Sequence, residues 1–566
     1  MKDVSYAVEN ITTKKGLANI KVNNYLLHSQ YDPIKEAERF VEQHYQKGYV
    51  HILFGYGEGY IVQAFLKVMK EDDQLIVIDP ILQEIERVEG EYILIHENDI
   101  ELIKKRLINE IKVTNFHKVI PSINYDKVAY ELFKELLTFT KEQLFIKITT
   151  ENTINFRSFE WQRNYIYNLE YLINDNSLSS LFRKYSKPVV IASGGPSLTK
   201  QLSLLKEIRK DILLISAGST INSLLKENIE PDYIISIDAN IANYNHFKEQ
   251  QFKNSKLVYL MQSYPDIRGH FDSQCYYFLS LNEGTIHNHI ISLVEKDIPM
   301  LPGGGSVANF ALSVAYYISS GPIALIGQDL AYTNNETHAK NNKQHSTIDT
   351  EQAQKKGYFY SEGYYDDQVL TDYAFMGMKR SFESIIQILE DIHVYNCTEG
   401  GIKLEGFKQI PFREYVEKFV GKSFKDDRKE ENVHTEESPL LNKDNILSKM
   451  KNERELYVKL INLLEKNIKS IDSNKLPTEF EQRILKRLDS NDREIQKYIK
   501  QTCLKSILDP INIEVLKKFK ARKEETPVEK YNRIKEQNLT LYSKMIEAIK
   551  ETETYIDELL KRLENA

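Results

Sequence analysis

Only three cysteines occur in 566 residues, Cys275, Cys397 and Cys503, and they form no CxxC pair. A disulfide framework and a structural zinc site are both unexpected on that count. No run of eighteen apolar residues exists, so no spanning helix is expected. The first ten residues carry early acids and lack the apolar centre of a secretory signal, which makes a cytoplasmic location the expectation. The formal charge of −7 lacks the basic excess that a whole-chain role on nucleic acid would need. No Asp-x-Asp pair occurs either, and metal-independent chemistry is the expectation. What remains is ordinary globular material, 41% hydrophobic and 28% charged. Its length asks for two or three domains.

Hydrophobic periodicity divides the chain into three. Residues 1–175 alternate an amphipathic helix at 35–45, a buried strand at 49–55, a helix at 61–69 and a second strand at 74–79. Apolar runs at 92–95 and 144–148 extend the same sheet. Residues 176–422 repeat the pattern with strands at 188–192, 211–216, 233–237, 257–261 and 323–326. A polar, charged stretch at 421–445 reads as a linker. Residues 446–566 show only helical spacing, with Leu447, Met450, Tyr457, Leu460 and Leu464 in one stripe and Tyr542, Met545, Ile549, Ile556 and Leu560 in another. The expected fold is α/β: two Rossmann-like doubly wound domains followed by an all-α helical domain.

The candidate chemistry lies at strand ends of the middle segment. Gly194-Gly195-Pro196-Ser197 follows a strand and opens a helix, the context in which backbone N–H groups and a helix dipole hold a phosphate. A ligand-free tight turn is the alternative reading. Ser216 and Gly218 lie in a second such loop, where Ser219 or Thr220 as a helix cap is equally compatible. Asp238 and Asn240 fall just past the next strand, placed to bind a ribose or acceptor hydroxyl or a metal, or merely to cap a helix. Gly303, Gly304, Gly305 and Ser306 open a helix of small residues, a second anion-binding start. Asp329 ends the strand at 323–326, and His338 follows in a polar loop with His345 behind it. A loop imidazole near its ordinary pKa suits general-base work at neutral pH. In the first segment, Gly55-Tyr56-Gly57-Glu58-Gly59 with Asp79 imitates a dinucleotide fingerprint, read here as structural.

With these motifs in order, the chain resembles the motility-associated factor (Maf) family of flagellin glycosyltransferases. The resemblance rests on LHSQYDPIKEAERF at 27–40, VIASGGPSL at 190–198, PDYIISID at 231–238, GGGSVANFAL at 303–312, LIGQDLAY at 325–332 with His338, and NCTEGG at 396–401. It covers the first two segments. It implies a middle domain similar to bacterial sialyltransferases and to an archaeal pterin pyrophosphokinase. It implies transfer of pseudaminic or legionaminic acid from a CMP donor to Ser or Thr of flagellin. On that implication Gly194, Gly195, Pro196, Ser197, Ser216, Gly218, Gly304, Gly305 and Ser306 hold the donor. Asn240, Asp238 and Asp329 position ribose, base or acceptor, and His338 moves the proton. An ATP-dependent pterin pyrophosphokinase and a non-enzymatic flagellin-binding factor are the alternatives. The C-terminal helices are a possible acceptor dock.

Overall fold

The structure is a computed structural model that describes residues 6–70, 73–81, 84–111, 116–281, 284–294, 298–389, 393–422, 443–521 and 525–565. Most of the expected linker lies outside the described residues. Two compact units emerge, Met1–Asn152 and Thr153–Ala566.

The first unit carries an antiparallel sheet of β1 (Val8–Thr12), β2 (Ala18–Val22) and β3 (Tyr25–Leu26), which periodicity over such short strands does not reveal. Its main sheet is parallel, formed by β4 (Tyr49–Phe54), β5 (Gln74–Asp79), β6 (Ile93–His96) and β7 (Phe116–Pro121) in the order β6-β5-β4-β7. The helix Pro33–His44 begins where the Asp32 side chain accepts from the Lys35 amide and proline takes a first-turn position. Ala37 and Val41, one turn apart, bury its apolar face. The run at 144–148 is not a strand. It lies inside the helix Tyr130–Asn168, whose length its own apolar bunching conceals, and the first unit ends at Asn152 rather than near 175.

The second unit is built on one parallel sheet of β8 (Asn176–Ser177), β9 (Val189–Ala192), β10 (Leu213–Ala217), β11 (Tyr233–Ser236), β12 (Lys256–Leu260), β13 (Tyr276–Ser280), β14 (Met300–Leu301) and β15 (Ile323–Ile326). After a small antiparallel pair, β16 (Phe359–Glu362) with β17 (Gln368–Thr371), the sheet gains β18 (Val394–Asn396) and β19 (Lys408–Gln409). Its order is β14-β13-β12-β11-β10-β9-β15-β18-β19, with β8 beside β13. The chain therefore runs outward from β9 to β14, then returns to the other side of β9. The reversal between β9 and β15 is the topological switch point of a doubly wound sheet, where loops diverge and ligands bind.

Side-chain alternation sends Val189, Ile191, Leu213, Ile215, Tyr233 and Ile235 to one face, covered by the helix Val307–Ile318 with its Ala308, Ala311 and Ala315. Val190, Ala192, Leu214 and Ile326 point to the other, under the helices Leu198–Glu207 and Phe412–Phe419. Further along that face, Ile234, Leu257 and Tyr259 share one apolar cluster with Ile446, Met450, Tyr457, Leu464, Tyr542 and Ile556. The all-α region at 446–566 is thus present as helices, but it is not a separate domain. The helices Lys443–Asp472, Gln482–Ile499, Lys505–Lys518 and Pro527–Asn565 share a core with the sheet. All three cysteines are free and buried. Among the described residues, no helix is long and apolar enough to cross a membrane.

Candidate functional site

The first unit has its own reversal between β4 and β7, and that crevice is filled by the protein. A side chain at Gly55 would fall within the Tyr125 ring, and one at Gly57 on the His28 imidazole. The Tyr125 hydroxyl accepts from the Gly57 amide at 2.9 Å and donates to Asp79 Oδ2 at 3.4 Å. His28 Nε2 accepts from the Glu58 amide at 2.9 Å, and the Ile81 amide donates to Asp79 Oδ1 at 3.0 Å. The amides and the acid that a dinucleotide would use are already partnered. Burial, which outweighs these hydrogen bonds, lifts the Asp79 carboxyl to about 6, and burial alone lowers His28 to about 4.

In the second unit the corresponding crevice is open. A cavity of about 280 Å³ lies at the carboxyl ends of the strands, lined by 193–196 after β9, Ala217 at the end of β10, Ser219 after it, and Asp238 after β11. Residues 327–331 after β15, 305–308 at a helix start, and His338 complete most of the wall. Of the residues expected from sequence, Gly194, Gly195, Pro196, Asp238, Gly305, Ser306, Asp329 and His338 come together here.

Asp329 organises the floor. Its carboxylate accepts from the Ser197 amide at 3.2 and 3.3 Å, from Ser197 Oγ at 2.6 Å and from Thr333 Oγ1 at 2.7 Å. Burial raises its pKa, and these donors offset only part of the rise. The start of the helix Leu198–Glu207, the expected phosphate seat, therefore already holds an internal carboxylate at its positive end. Ser197 is corrected from a ligand donor to a partner of Asp329, and Asp329 from a reacting group to a structural anion. Gly195 is glycine for the same reason: a Cβ there would collide with that carboxylate and lie 2.6 Å from the Gly327 carbonyl oxygen. NCTEGG braces the same loop from behind. Thr398 Oγ1 accepts from the Gln328 amide at 3.1 Å, and a side chain at Gly400 would strike Ser197 Oγ.

The second helix start is different. Ser306 and Asn309 form a reciprocal capping box at the head of Val307–Ile318. That box uses the Ser306 and Asn309 amides, while Val307 and Ala308, next in the first turn, line the cavity at the positive end of the dipole. A Cβ on Gly305 would meet only Met378 Cγ at 3.6 Å, so this glycine keeps the pocket open rather than the fold intact. Gly304 is corrected to a packing position, pressed on Ser381 and Asn309.

Three further expectations move away from the cavity. Ser216 is buried in β10, its hydroxyl on the Ala217 carbonyl at 3.0 Å. Gly218 packs near Asn243 and Phe247. Asn240 caps the short helix Ile241–Tyr244, accepting from the Asn243 amide at 2.9 Å. Asp238, by contrast, lines the cavity. Solvent reaches it there, while the surrounding walls raise its pKa and Arg157 opposes the rise.

His338 is half-buried on the wall. Desolvation lowers its pKa, and the Gln344 carbonyl, which accepts from the ring, partly restores it. Its Nδ1 has no partner. Phe375 and Met378, from the helix Tyr373–Ile388, close one side and carry no motif that sequence reasoning could find. One group of three potential metal ligands occurs among the described residues, His289, Glu453 and Cys503, buried under the C-terminal helices. They are bonded instead: His289 Nε2 to Glu453 Oε2 at 2.6 Å, and the Cys503 amide and Tyr457 hydroxyl to Glu453 Oε1 at 2.8 and 2.7 Å.

Residues 163–335 match a family model described as 6-hydroxymethylpterin diphosphokinase MptE-like. Among solved structures, a MAf glycosyltransferase from Magnetospirillum magneticum AMB-1 shares the fold with a TM-score of 0.55. It is 13% identical over 99% of this chain and 94% of that one. No curated protein matches the sequence. The fold expected from the ordered motifs is therefore the fold found.

Proposed function

We propose that this protein is a glycosyltransferase that moves a CMP-activated nonulosonic acid, pseudaminic or legionaminic, onto Ser or Thr hydroxyls of flagellin in the cytoplasm. The observation that carries the reading is the open cavity at the β9–β15 reversal, lined by a helix head on one side and by His338, whose Nδ1 has no partner, on another. The amides of Val307 and Ala308, with Gly305 beside them, suit the donor phosphate. Asp238 suits a ribose or acceptor hydroxyl. In the transfer, the bond from the anomeric carbon to the phosphate oxygen breaks and its electron pair leaves with CMP. The acceptor oxygen bonds that carbon, and its proton passes to His338. The Gln344 contact fixes the ring tautomer so that Nδ1 carries the lone pair. A turn of the buried ring is needed to present it to an acceptor.

The leaving group is already a stable anion, so aligned donors and one base suffice, and no metal is required in this mechanism. Of the two cavity carboxylates, only Asp238 is uncommitted, which is little to hold a cation with. Activity is expected to survive EDTA. Intact mass of flagellin co-expressed with this protein and a sugar-nucleotide pathway tests the whole reading. The expected result is a discrete glycan increment lost in His338→Ala, and unmodified flagellin with the folded wild type would refute it.

The match at 163–335 favours one rival, an ATP-dependent pterin diphosphokinase. Thermal shifts with CMP, CTP, ATP and GTP, each with and without Mg²⁺, separate the two. Stabilisation by ATP with Mg²⁺ alone would favour the kinase.

A further inference from the structure

Behind Gly194 the cavity wall hides polar atoms that nothing satisfies. Thr220 is fully buried and its Oγ1 has no partner, and the same holds for Nδ1 of buried His246 and for Nδ1 of His338. Buried polar atoms are normally paired, and a cluster of exceptions beside a cavity marks groups waiting for a ligand. Thr220 and His338 each adjoin Gly194, and Thr220 and His246 lie behind the residues that line the cavity. A Cβ on Gly194 would lie 3.4 Å from Thr220 Oγ1 and 3.1 Å from Asn342 Nδ2. The Gly194 carbonyl accepts from the Ala339 amide at 2.9 Å, which sets His338 alongside. His246 is close enough to Lys343 and His338 to feel both, and Lys343 Nζ donates to the Asn245 carbonyl at 3.1 Å.

We propose that Thr220 and His246 form the recess that recognises the transferred sugar. This rests on the glycosyltransferase reading and names its specificity residues. The two ends of the cavity differ in chemistry. The helix head at 306–308 offers only N–H donors, which suits an anion. The recess offers hydroxyls that donate and accept, plus imidazole nitrogens, which suits a sugar rich in hydroxyl and acylamino groups rather than a bare phosphate. It adjoins His338, where the anomeric carbon must lie for transfer. Occupation requires a small outward shift of the wall, since the atoms are covered when the cavity is empty.

The test is calorimetric, on the full chain, with CMP and CMP-N-acetylneuraminic acid as probes. Thr220→Val keeps the side-chain shape and removes the hydroxyl, and His246→Gln removes the ring. Each is expected to leave CMP affinity within about twofold and to weaken the sugar nucleotide about tenfold, the scale of one lost hydrogen bond. Thr220→Ser should restore it, and an unchanged thermal transition in each variant verifies folding. Equal loss for both probes would place the nucleotide, not the sugar, in the recess and overturn the proposal. No loss for either would show that the recess touches no ligand. Wild type that binds neither probe would refute the glycosyltransferase reading itself.

Discussion

Both units carry a parallel sheet whose chain order reverses beside a glycine-rich strand end, yet only one of the two crevices is empty. In the first unit, Tyr125 and His28 occupy the space that Gly55 and Gly57 leave, and Asp79 is sealed under them. In the second, the space beside Gly305 is left to solvent. The same local motif therefore serves opposite ends. A glycine tells that something approaches the backbone closely, and only the three-dimensional neighbours say whether it is a ligand or a side chain. Gly195 makes the point within the second unit, since what approaches it is Asp329.

The comparison can be broken most severely by removing the C-terminal helices. Their side chains cover Ile234, Leu257 and Tyr259, at about 1.5–3 kcal/mol per fully buried large apolar side chain. Three of these, about 4.5–9 kcal/mol together, are comparable with the ~5–15 kcal/mol that holds a domain together. A chain ending near Asp444 is expected to lose the cooperative transition of the second unit, seen by circular dichroism and dye binding. A truncated chain that still binds CMP would show instead that the helices are dispensable, as a separable dock would be.

Next in size are the glycines. Gly195→Val forces a branched side chain onto the Asp329 carboxylate and the Gly327 carbonyl. It should destabilise the second unit by about 3 kcal/mol or more in urea titration, the upper range for overpacking. Gly55→Val should do comparable damage, being at φ +115° against Tyr125, but only to the first unit, leaving CMP binding intact. Asp329→Asn places an amide against the Ser197 donors and should cost about 2–3 kcal/mol, measured the same way. Survival of Asp329→Asn at full stability would restore Asp329 as a candidate reacting group.

The smallest effect is in pH. His28 is held neutral in the folded first unit, with its pKa lowered to about 4, while the unfolded chain protonates it near 6.5. The unfolded state thus binds the extra proton between those values, and the His28 contribution, complete above pH 6.5, is lost as pH falls toward 4. Asp79, raised to about 6, works the other way, so the net acid limb is shallow. The sharper reading is the difference between wild type and His28→Gln. It should narrow by at most about 1.4 kcal/mol per pH unit across that window, and a pH-independent difference would contradict the assignment.

Much of this was legible before the structure. Strands with a continuous apolar run, such as 49–54 and 323–326, announce themselves because both faces are buried. So did the cluster of strand ends that meets at the cavity. The helix Tyr130–Asn168 hid a false strand because five apolar-rich residues fit either period. The roles of Ser197 and Gly304 were missed for a different reason. Whether a hydroxyl faces a ligand or Asp329, 132 residues away in sequence, depends on a long-range contact that local pattern does not encode. The tail's helices were readable from their stripes, but the partner of those stripes was not.

The central claim is that the ligand enters the second unit beside the helix head at 306–308. Gly305→Val tests it most directly, because it adds a branched side chain to the cavity lining at a position where a Cβ meets nothing closer than Met378 Cγ at 3.6 Å. Thermal unfolding of wild type and variant, each titrated with CMP, is the measurement. The account predicts equal transitions without ligand, a saturable rise in the wild type and none in the variant. An identical CMP-induced rise in both proteins would place the nucleotide elsewhere and contradict it.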